Sequence, residues 1–309
     1  MGRITLHRLD RTGLIHFAGE DAQSFLQGQL SCDVGALASG SSSYGSYCTP
    51  KGRALATFLL WRVGHNFFMQ LPAALRESIR KRLSMFILRA RVKPGDASDT
   101  FARFGVAGDE AADLIKTVFA DVPAAPLEVR SVEDATLIRL AADRFEIVAP
   151  SNKATPVYEA LKQRAQEAGP GMWEWLDIRA GIPWITPATQ EAFVPQMINL
   201  DLIGGVSFSK GCYPGQEIVA RAHYRGQVKQ RTYLAHIESE RAPEPGDKLY
   251  GADMGEQSSG TIVNAAPSPD GGYDALAAIQ MSSVEAGEVR WKAPDGAPLR
   301  FLPLPYEIR

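Results

Sequence analysis

The repeated order of predicted elements in the first 168 residues constrains the fold of this chain most. Each of two successive runs contains a strand, a helix, a β-hairpin and a second helix, as judged from apolar periodicity and turn residues. The first run comprises residues 14–17, 22–30, 54–71 and 72–86, and the second comprises 101–106, 109–119, 136–148 and 152–168. This order predicts paired α+β modules of the split-βαβ, ferredoxin-like type.

The last third of the chain has a different pattern. From Thr232 on, short apolar stretches alternate with the turn signals 245–247, 270–272 and 294–296, with little helical periodicity. This pattern predicts a C-terminal antiparallel β-barrel or sandwich. Because 309 residues exceed the size of one hydrophobic core, we expect more than one domain. The predicted division is 1–45 with 100–225, then 46–99, then 226–309.

Composition and motifs exclude several classes of protein. A hydrophobic fraction of 45%, a charged fraction of 22% and a net charge of −2 are typical of a globular protein without general attraction to nucleic acid. The three cysteines, widely spaced, fit neither a disulfide framework nor a zinc site, so no metal site is expected. No secretory leader or membrane-spanning run is recognised, so we expect a cytoplasmic protein with no membrane contact. Dinucleotide, Walker A, zinc-protease and serine-hydrolase motifs are also missing.

The octapeptide 210–217, K-G-C-Y-P-G-Q-E, is the most informative stretch for chemistry. Pro214 suits the first position of a helix, which would leave Cys212 just outside the positive helix end, with Lys210 two residues away. Both features favour a thiolate, so we predict that Cys212 and Lys210 form a reactive site. The alternative is that the glycines serve a tight turn and Cys212 packs as a small hydrophobe.

Two further clusters each allow two interpretations. Trp173, Trp175 and Trp184 fall within twelve residues, either as core side chains or as a platform for a flat heterocycle. A run of five basic or histidine side chains without an acid follows the octapeptide, and comprises Arg221, His223, Arg225, Lys229 and Arg231. This run is either a solvated charged face or a site for a polyglutamate tail or a nucleic-acid phosphate.

Residues 210–221, K-G-C-Y-P-G-Q-E-I-V-A-R, resemble the signature of the YgfZ family, the folate-binding relatives of the glycine-cleavage T-protein. The supporting stretches are G-E-D-A-Q-S-F-L-Q-G-Q-L-S-C-D-V at 19–34, C-T-P-K-G-R at 48–53, F-V-P-Q-M-I-N-L at 193–200 and L-P-Y at 304–306. The resemblance spans nearly the whole chain. It implies two ferredoxin-like modules and a C-terminal β-barrel around a central pocket for tetrahydrofolate or another folate.

The resemblance also implies roles for individual residues and partners. Cys212 matches the signature cysteine, and Trp173 matches an aromatic position of folate contact. Thr12 aligns with a second folate position that is a tryptophan in some relatives. We further predict folate contacts for Tyr213, Gln216, Glu217 and Arg225. Members of this family support iron–sulfur enzymes, including those that methylthiolate tRNA, so iron–sulfur enzymes or their assembly proteins are the expected partners.

The differences from T-proteins separate the functional alternatives. The stretch 53–57 lacks the paired aspartates of T-proteins, and Met197 replaces a folate-binding glutamate. Orienting and deprotonating an amine requires a placed base, so glycine cleavage is disfavoured. We therefore predict a folate-binding iron–sulfur maintenance factor with Cys212 as its reactive thiol. A folate-dependent one-carbon transferase and an RNA-binding module that uses 221–231 remain the alternatives.

Overall fold

The computed structural model describes residues 4–224 and 228–308. Its strands, in chain order, are β1 (Thr5–Arg8), β2 (Thr12–Ala18), β3 (Ser42–Cys48), β4 (Ala54–Val63), β5 (Asn66–Pro72), β6 (Lys93–Asp96), β7 (Phe101–Ala107), β8 (Val129–Val132), β9 (Ala135–Ala141), β10 (Arg144–Pro150), β11 (Gln166–Glu167), β12 (Gln230–Ile237), β13 (Lys248–Gly251), β14 (Gly260–Pro267), β15 (Tyr273–Gln280), β16 (Val289–Trp291) and β17 (Leu299–Leu302). Its α-helices are α1 (Ala22–Gln27), α2 (Ala73–Ser84), α3 (Ala111–Phe119), α4 (Ala154–Lys162), α5 (Pro170–Arg179), α6 (Gln216–Tyr224) and α7 (Met281–Glu285). Short 3-10 turns lie at Ser151–Lys153 and Pro195–Ile198.

These strands form three sheets. The first has the order β11-β1-β7-β10-β9-β8, the second β3-β4-β5-β2-β6, and the third β16-β13-β14-β15-β12-β17. The predicted hairpins are confirmed, because β4 pairs with β5 and β9 pairs with β10, both antiparallel. The chain is therefore a mixed α and β protein, as its element order indicates.

The described chain divides into two compact units, which we call unit 1 and unit 2. Unit 1 comprises Met1–Gln27, Val34–Ser43 and Phe58–Trp173, and unit 2 comprises Gly28–Asp33, Tyr44–Thr57 and Glu174–Arg309. The first sheet lies wholly in unit 1 and the third wholly in unit 2, whereas β3 and β4 each have residues in both. The three-domain division and the central pocket stay predictions.

The first sheet of unit 1 has an apolar face and a polar face. Leu6, Val106 and Phe145 are fully buried against α3 and α4. Side chains alternate along a strand, so the next residues point to the opposite face. His7, Gly105 and Glu146 are cross-strand neighbours there, and this polar face is also buried at His7 and Glu146.

Helix α4 is shorter than predicted. It ends at Lys162 and not at residue 168. Gln166 and Glu167 leave the helix because they pair in parallel with Thr5 and Leu6 at the edge of the first sheet. Pairing at the sheet edge satisfies the backbone hydrogen-bonding groups of these two residues, although the apolar periodicity of the sequence alone places them in the helix.

The C-terminal third forms a six-stranded antiparallel sheet, as its turn signals predict. Its apolar side chains form one core that includes Ile237, Ile262 and Trp291. An isolated bridge joins Arg290 of the edge strand β16 to Pro298, next to the opposite edge strand β17, so the sheet curls into a half-barrel. No helix among the described residues is long and apolar enough to cross a membrane.

Candidate functional site

The signature loop, residues 210–217, is anchored in unit 2 by a buried lysine. The ammonium of Lys210 donates hydrogen bonds to the carbonyl oxygens of Leu30 at 2.5 Å and Cys32 at 3.1 Å. It also lies 4.9 Å from the centre of the Tyr213 ring. Burial lowers the pKa of Lys210. Because these bonds hold the charge inside the protein, Lys210 fixes the loop to the segment 28–33.

Two glycines allow close backbone contact at the other end of the loop. Gly215 has φ +83°, and a Cβ there would lie 2.5 Å from the carbonyl oxygen of Thr49 and 2.6 Å from Cα of Gly52. Gly52 itself has φ +72° and lies against Ile218. Only glycine combines this backbone conformation with such an approach. The structure therefore brings together two stretches that carry the family resemblance, 48–53 and 210–217.

Cys212 is the exposed cysteine of the chain. Helix α6 begins at Gln216, so the predicted placement of Pro214 at the first helical position is wrong. Gly215 takes a left-handed conformation between Pro214 and the helix, which a continuous helix from Pro214 would not allow. Cys212 is therefore four residues before α6, in an irregular stretch, and its activation by the helix end or by Lys210 stays a prediction.

The other two thiols are buried beside the same loop. Cys32 and Cys48 are 1% and 2% exposed, and burial raises the pKa of each thiol to about 12. Both are therefore protonated and shielded at neutral pH. Among the described residues, no group of three or more histidine, cysteine, aspartate or glutamate side chains is placed to hold a metal ion.

Tyr213 and Gln196 carry buried polar atoms with no hydrogen-bond partner in the described part of the chain. Tyr213 is 6% exposed, its hydroxyl has no such partner, and burial raises its pKa. The side-chain amide of Gln196 donates to the backbone carbonyl oxygen of Val219 in α6 at 2.6 Å, while the side-chain oxygen Oε1 of Gln196 has no partner. Buried polar atoms in native proteins nearly always have partners, so both atoms are available to a polar ligand.

The remaining predicted residues near the loop have mixed environments. The side-chain amide of Gln216 donates to the carbonyl oxygen of Lys210 at 3.3 Å, which closes the loop on itself. Glu217 is exposed on α6. Arg225 lies outside the described residues. The folate contacts predicted for these three residues stay predictions.

One residue of the basic run 221–231, Arg231, is buried and paired with an acid. Arg231 is 6% exposed, and its guanidinium binds both carboxylate oxygens of Asp201, at 2.8 and 3.1 Å. It also donates to the backbone carbonyl oxygen of Gln196 at 2.8 Å. The suggestion that Arg231 belongs to an open anion site is therefore wrong. Its charge is neutralised inside unit 2, and sequence spacing could not reveal the distant aspartate.

The three clustered tryptophans have different surroundings. The indole N–H of Trp175 donates to Asp274 and that of Trp184 donates to Asp177, both at 2.8 Å. These two side chains therefore serve the structure of unit 2. Trp173 lies in unit 1, 5% exposed.

Trp173 packs on the polar face of the first sheet. The Arg144 guanidinium lies 4.1 Å from its ring centre, and the His7 ring centre lies 5.2 Å away. A Cβ at Gly105 would lie 2.4 Å from the ring, so glycine is required beneath it. The predicted folate contact of Trp173 is not tested by this packing.

The polar face also contains residues that the sequence did not single out. Burial, with a smaller effect of the Arg144 charge, lowers the pKa of His7 to about 4, although a hydrogen bond to the Gly169 backbone opposes this. The side chain of Gln70 donates to Glu146 at 2.9 Å, and both are buried. The single polar residue between Phe145 and Ile147 was a usable signal, because alternation along the strand places Glu146 opposite the apolar core.

Two other predicted positions have structural hydrogen bonds. Thr12 donates from Oγ1 to the carbonyl oxygen of Leu9 and accepts a bond from Arg103. Thr57, in the stretch that lacks the T-protein carboxylates, donates to the carbonyl oxygen of Pro183 at 2.8 Å and accepts from the backbone N–H of Ile185 at 2.9 Å. The hydroxyl of Thr57 is thus bonded to two backbone groups, and a neutral hydroxyl does not replace a carboxylate as a base.

Comparisons with known proteins agree with this architecture. A family model described as the GCVT N-terminal domain matches residues 6–173. The chain is 33% identical over 310 residues to the tRNA-modifying protein YgfZ of Klebsiella pneumoniae (strain 342), covering 99% of this chain and 94% of the relative. It is 31% identical over 309 residues to the protein of the same name from Escherichia coli O7:K1, with the same coverage.

A solved structure supports the fold. Aminomethyltransferase T of the glycine cleavage system from Bartonella henselae superposes with a TM-score of 0.80, covering 97% of this chain and 85% of the other, at 17% sequence identity. At this identity the likeness concerns the fold alone. The resemblance found in the sequence is confirmed by relatives that match along its full length. The chain therefore belongs to the YgfZ family and has the fold of glycine-cleavage aminomethyltransferase T.

Proposed function

We propose that this protein is a tetrahydrofolate-binding factor that supports iron–sulfur cluster assembly or repair and thereby tRNA methylthiolation. The observation that carries the proposal is the contrast among its thiols. Cys212 is exposed on a loop anchored by Lys210, whereas Cys32 and Cys48 are buried with the pKa of each raised to about 12. The thiolate is the nucleophile and the metal ligand, and the two buried thiols stay protonated at neutral pH. Cys212 is therefore the thiol that can react.

The role in tRNA modification is supported by the names of the relatives, which are tRNA-modifying proteins. An iron–sulfur cluster is the cargo of this proposal and not a resident group. Clusters are held by several thiolates, so any cluster that Cys212 contacts takes its other ligands from a partner. A single exposed thiol suits transient contact with sulfur, a cluster or a partner thiol.

The unpartnered hydroxyl of Tyr213 and the unpartnered side-chain oxygen Oε1 of Gln196 fit a folate. A pterin ring offers both hydrogen-bond donors and acceptors, which such atoms can satisfy. Within unit 2, Tyr213 and Gln196 would hold the folate, with Gln216, Glu217 and Arg225 as further predicted contacts. The folate contacts predicted for Trp173 and Thr12, which belong to unit 1, stay predictions. Bound tetrahydrofolate would supply one-carbon and reducing chemistry.

The one-carbon transferase alternative is weaker. The stretch 53–57 has no carboxylate, and the hydroxyl of Thr57 is bonded to backbone groups on both sides. No placed base therefore stands where the aspartates of T-proteins act. Incubation with tetrahydrofolate and an amine donor should yield no methylene-tetrahydrofolate, and measurable turnover would favour the transferase.

The decisive test is complementation. In a bacterial strain that lacks its own homologue, the wild-type protein should restore methylthiolated nucleosides in tRNA, measured by mass spectrometry. Cys212→Ser should not restore them. Cys48→Ala serves as the matched control, since it removes a buried thiol and should restore modification. Full restoration by Cys212→Ser at equal protein level would overturn the proposal.

Folate binding is tested separately. Tetrahydrofolate should quench tryptophan fluorescence in a saturable way, and Tyr213→Phe should weaken binding because it removes the unpartnered hydroxyl. A hydroxyl that bonds a neutral ligand contributes about 0.5–1.5 kcal/mol, or roughly two- to tenfold in Kd. No saturable quenching at millimolar folate would remove folate from the proposal.

A further inference from the structure

A strongly cationic segment, residues 76–93, lies outside the signature loop and its surroundings. It contains seven arginine or lysine residues and one acid, a net charge of +6 in a chain whose net charge is −2. Five of the seven are arginine, which binds phosphate with two parallel hydrogen bonds more readily than lysine does. The rest of the chain is therefore acidic, and positive charge is concentrated here.

Part of this charge has no neutralising partner. Arg76 pairs with Asp96 at 3.0 Å, and Arg91 pairs with Glu20 at 2.6 Å. Glu77 serves both Arg80 and Lys81. By contrast, three cations of the segment form no ion pair with a carboxylate within residues 4–224 and 228–308, namely Arg82, Arg89 and Lys93.

The same segment exposes large apolar side chains. Met85, Phe86 and Leu88 are 66%, 47% and 89% exposed, and they account for three of the four exposed large hydrophobic residues in the described chain. They follow directly on α2, whose own apolar face is buried through Leu75 and Ile79. Three exposed large apolar side chains within four consecutive residues indicate an interaction site.

We propose that the cationic segment binds the sugar–phosphate backbone of tRNA, with Phe86 stacking on an unpaired base. Phosphates need cations that are not already neutralised, and Arg89 and Lys93 supply them. An aromatic ring about half exposed in the same segment as such cations matches the way proteins hold unstacked RNA bases. The inference rests on the proposed function, since it names the nucleic acid that a tRNA-modification factor would contact.

The alternative occupants fit less well. Binding to an anionic membrane surface needs a continuous apolar helix face, and that of α2 is buried in the protein. A partner protein would also accept the apolar side chains, but it would not require the excess of +6. The membrane alternative is a separate outcome of the test.

The test uses the purified full-length protein and unfractionated bacterial tRNA, with affinity measured by fluorescence anisotropy between 50 and 200 mM salt. The double variant Arg89→Glu/Lys93→Glu is compared with Arg164→Glu/Arg241→Glu, which makes the same charge change at two other exposed arginines. The first variant should bind more weakly, and its slope of log affinity against log salt should fall by about 1–2, since each phosphate contact contributes roughly 0.7–0.9. The control should match the wild type.

Phe86→Leu tests the stacking contact. It keeps apolar volume, so the protein should fold as the wild type does, but it should lower tRNA affinity about fivefold or more. Unchanged affinity would overturn the role of Phe86. Equal losses in the two charge variants, or a loss in neither, would overturn the assignment of the surface.

A third measurement tests binding to phosphatidylglycerol vesicles. If the wild type binds the vesicles and Arg89→Glu/Lys93→Glu does not, while tRNA binding is the same in both, the ligand of the cationic segment is a membrane surface and not RNA. The assay contains neither folate nor an iron–sulfur enzyme. Its failure therefore leaves the complementation test of Cys212 unaffected, and failure of that test leaves this one unaffected.

Discussion

The buried imidazole of His7 should make the stability of unit 1 depend on pH. Its pKa is lowered from 6.5 to about 4, mainly by burial. Folding therefore favours the neutral ring. Between pH 6.5 and pH 4 the unfolded chain binds a proton that the folded chain does not, so stability is full above pH 6.5 and falls as the pH drops toward 4.

The magnitude follows from the two pKa values. Full titration would cost about 3 kcal/mol, because each unit of pKa difference corresponds to about 1.4 kcal/mol. Between pH 7 and pH 5 the loss should be about 1–2 kcal/mol, since only part of the interval is crossed. His7→Gln removes the titration and keeps a donor for the hydroxyl of Thr5, which lies 2.9 Å from His7 Nε2.

Urea unfolding followed by tryptophan fluorescence at pH 7, 6 and 5 measures the effect. The free energy of unfolding of the wild type should fall more steeply than that of His7→Gln, by about 1–2 kcal/mol over this range. Other titrating groups are common to both proteins and cancel in the comparison. Parallel pH profiles would refute the reasoning that the ring is buried in its neutral form.

Three substitutions in unit 2 test the anchoring of the signature loop and its surroundings. Lys210→Met removes two charge-assisted hydrogen bonds to buried carbonyls and should lower the free energy of unfolding by about 2–4 kcal/mol in urea denaturation. A loss below about 0.5 kcal/mol would show that the ammonium does not hold the loop. Gly215 has φ +83° and lies against backbone atoms, so Gly215→Ala should lower the free energy of unfolding by about 2 kcal/mol or more in thermal melting. Gly211 has open space around it, so the control Gly211→Ala should lower it by less than about 1 kcal/mol, and equal losses would contradict the backbone contact. Arg231→Met leaves Asp201 buried without its cation and should destabilise by about 3–5 kcal/mol in the same assay, and a neutral result would contradict the buried ion pair.

Much of the fold could be predicted from periodicity and turn signals. The hairpins β4–β5 and β9–β10 and the helices α2 and α3 follow from apolar spacing, because their core faces are set locally. The end of α4 could not, since it depends on pairing between Gln166 and Thr5, which are distant in sequence. Helix periodicity carries no information about such long-range pairing.

The candidate site was predicted in part. The resemblance identified the loop 210–217 and the turn 48–53, and the structure adds that their glycines are in backbone contact. The sequence suggested that Lys210 acts on Cys212, whereas the structure shows its ammonium bonded to the carbonyls of Leu30 and Cys32. Local spacing could not reveal those acceptors, because they lie about 180 residues away.

The polar face of unit 1 was missed for a related reason. His7, Gly105 and Glu146 come from separate strands, and of the three only Glu146, between two buried apolar residues, is unusual in its own segment. Only strand register brings His7, Gly105 and Glu146 side by side, and only the fold places Trp173 over them. A polar face of this kind becomes visible once the register is known.

The central claim is that Cys212 is the one reactive thiol of the described chain, and alkylation of the native protein tests it most directly. Brief treatment with iodoacetamide at pH 7.5, followed by peptide mass spectrometry, should label Cys212 and leave Cys32 and Cys48 unmodified, because both are buried with the pKa of each raised to about 12. In urea all three should be labelled. Labelling of Cys32 or Cys48 in the native protein as fast as Cys212, or protection of Cys212, would contradict the account.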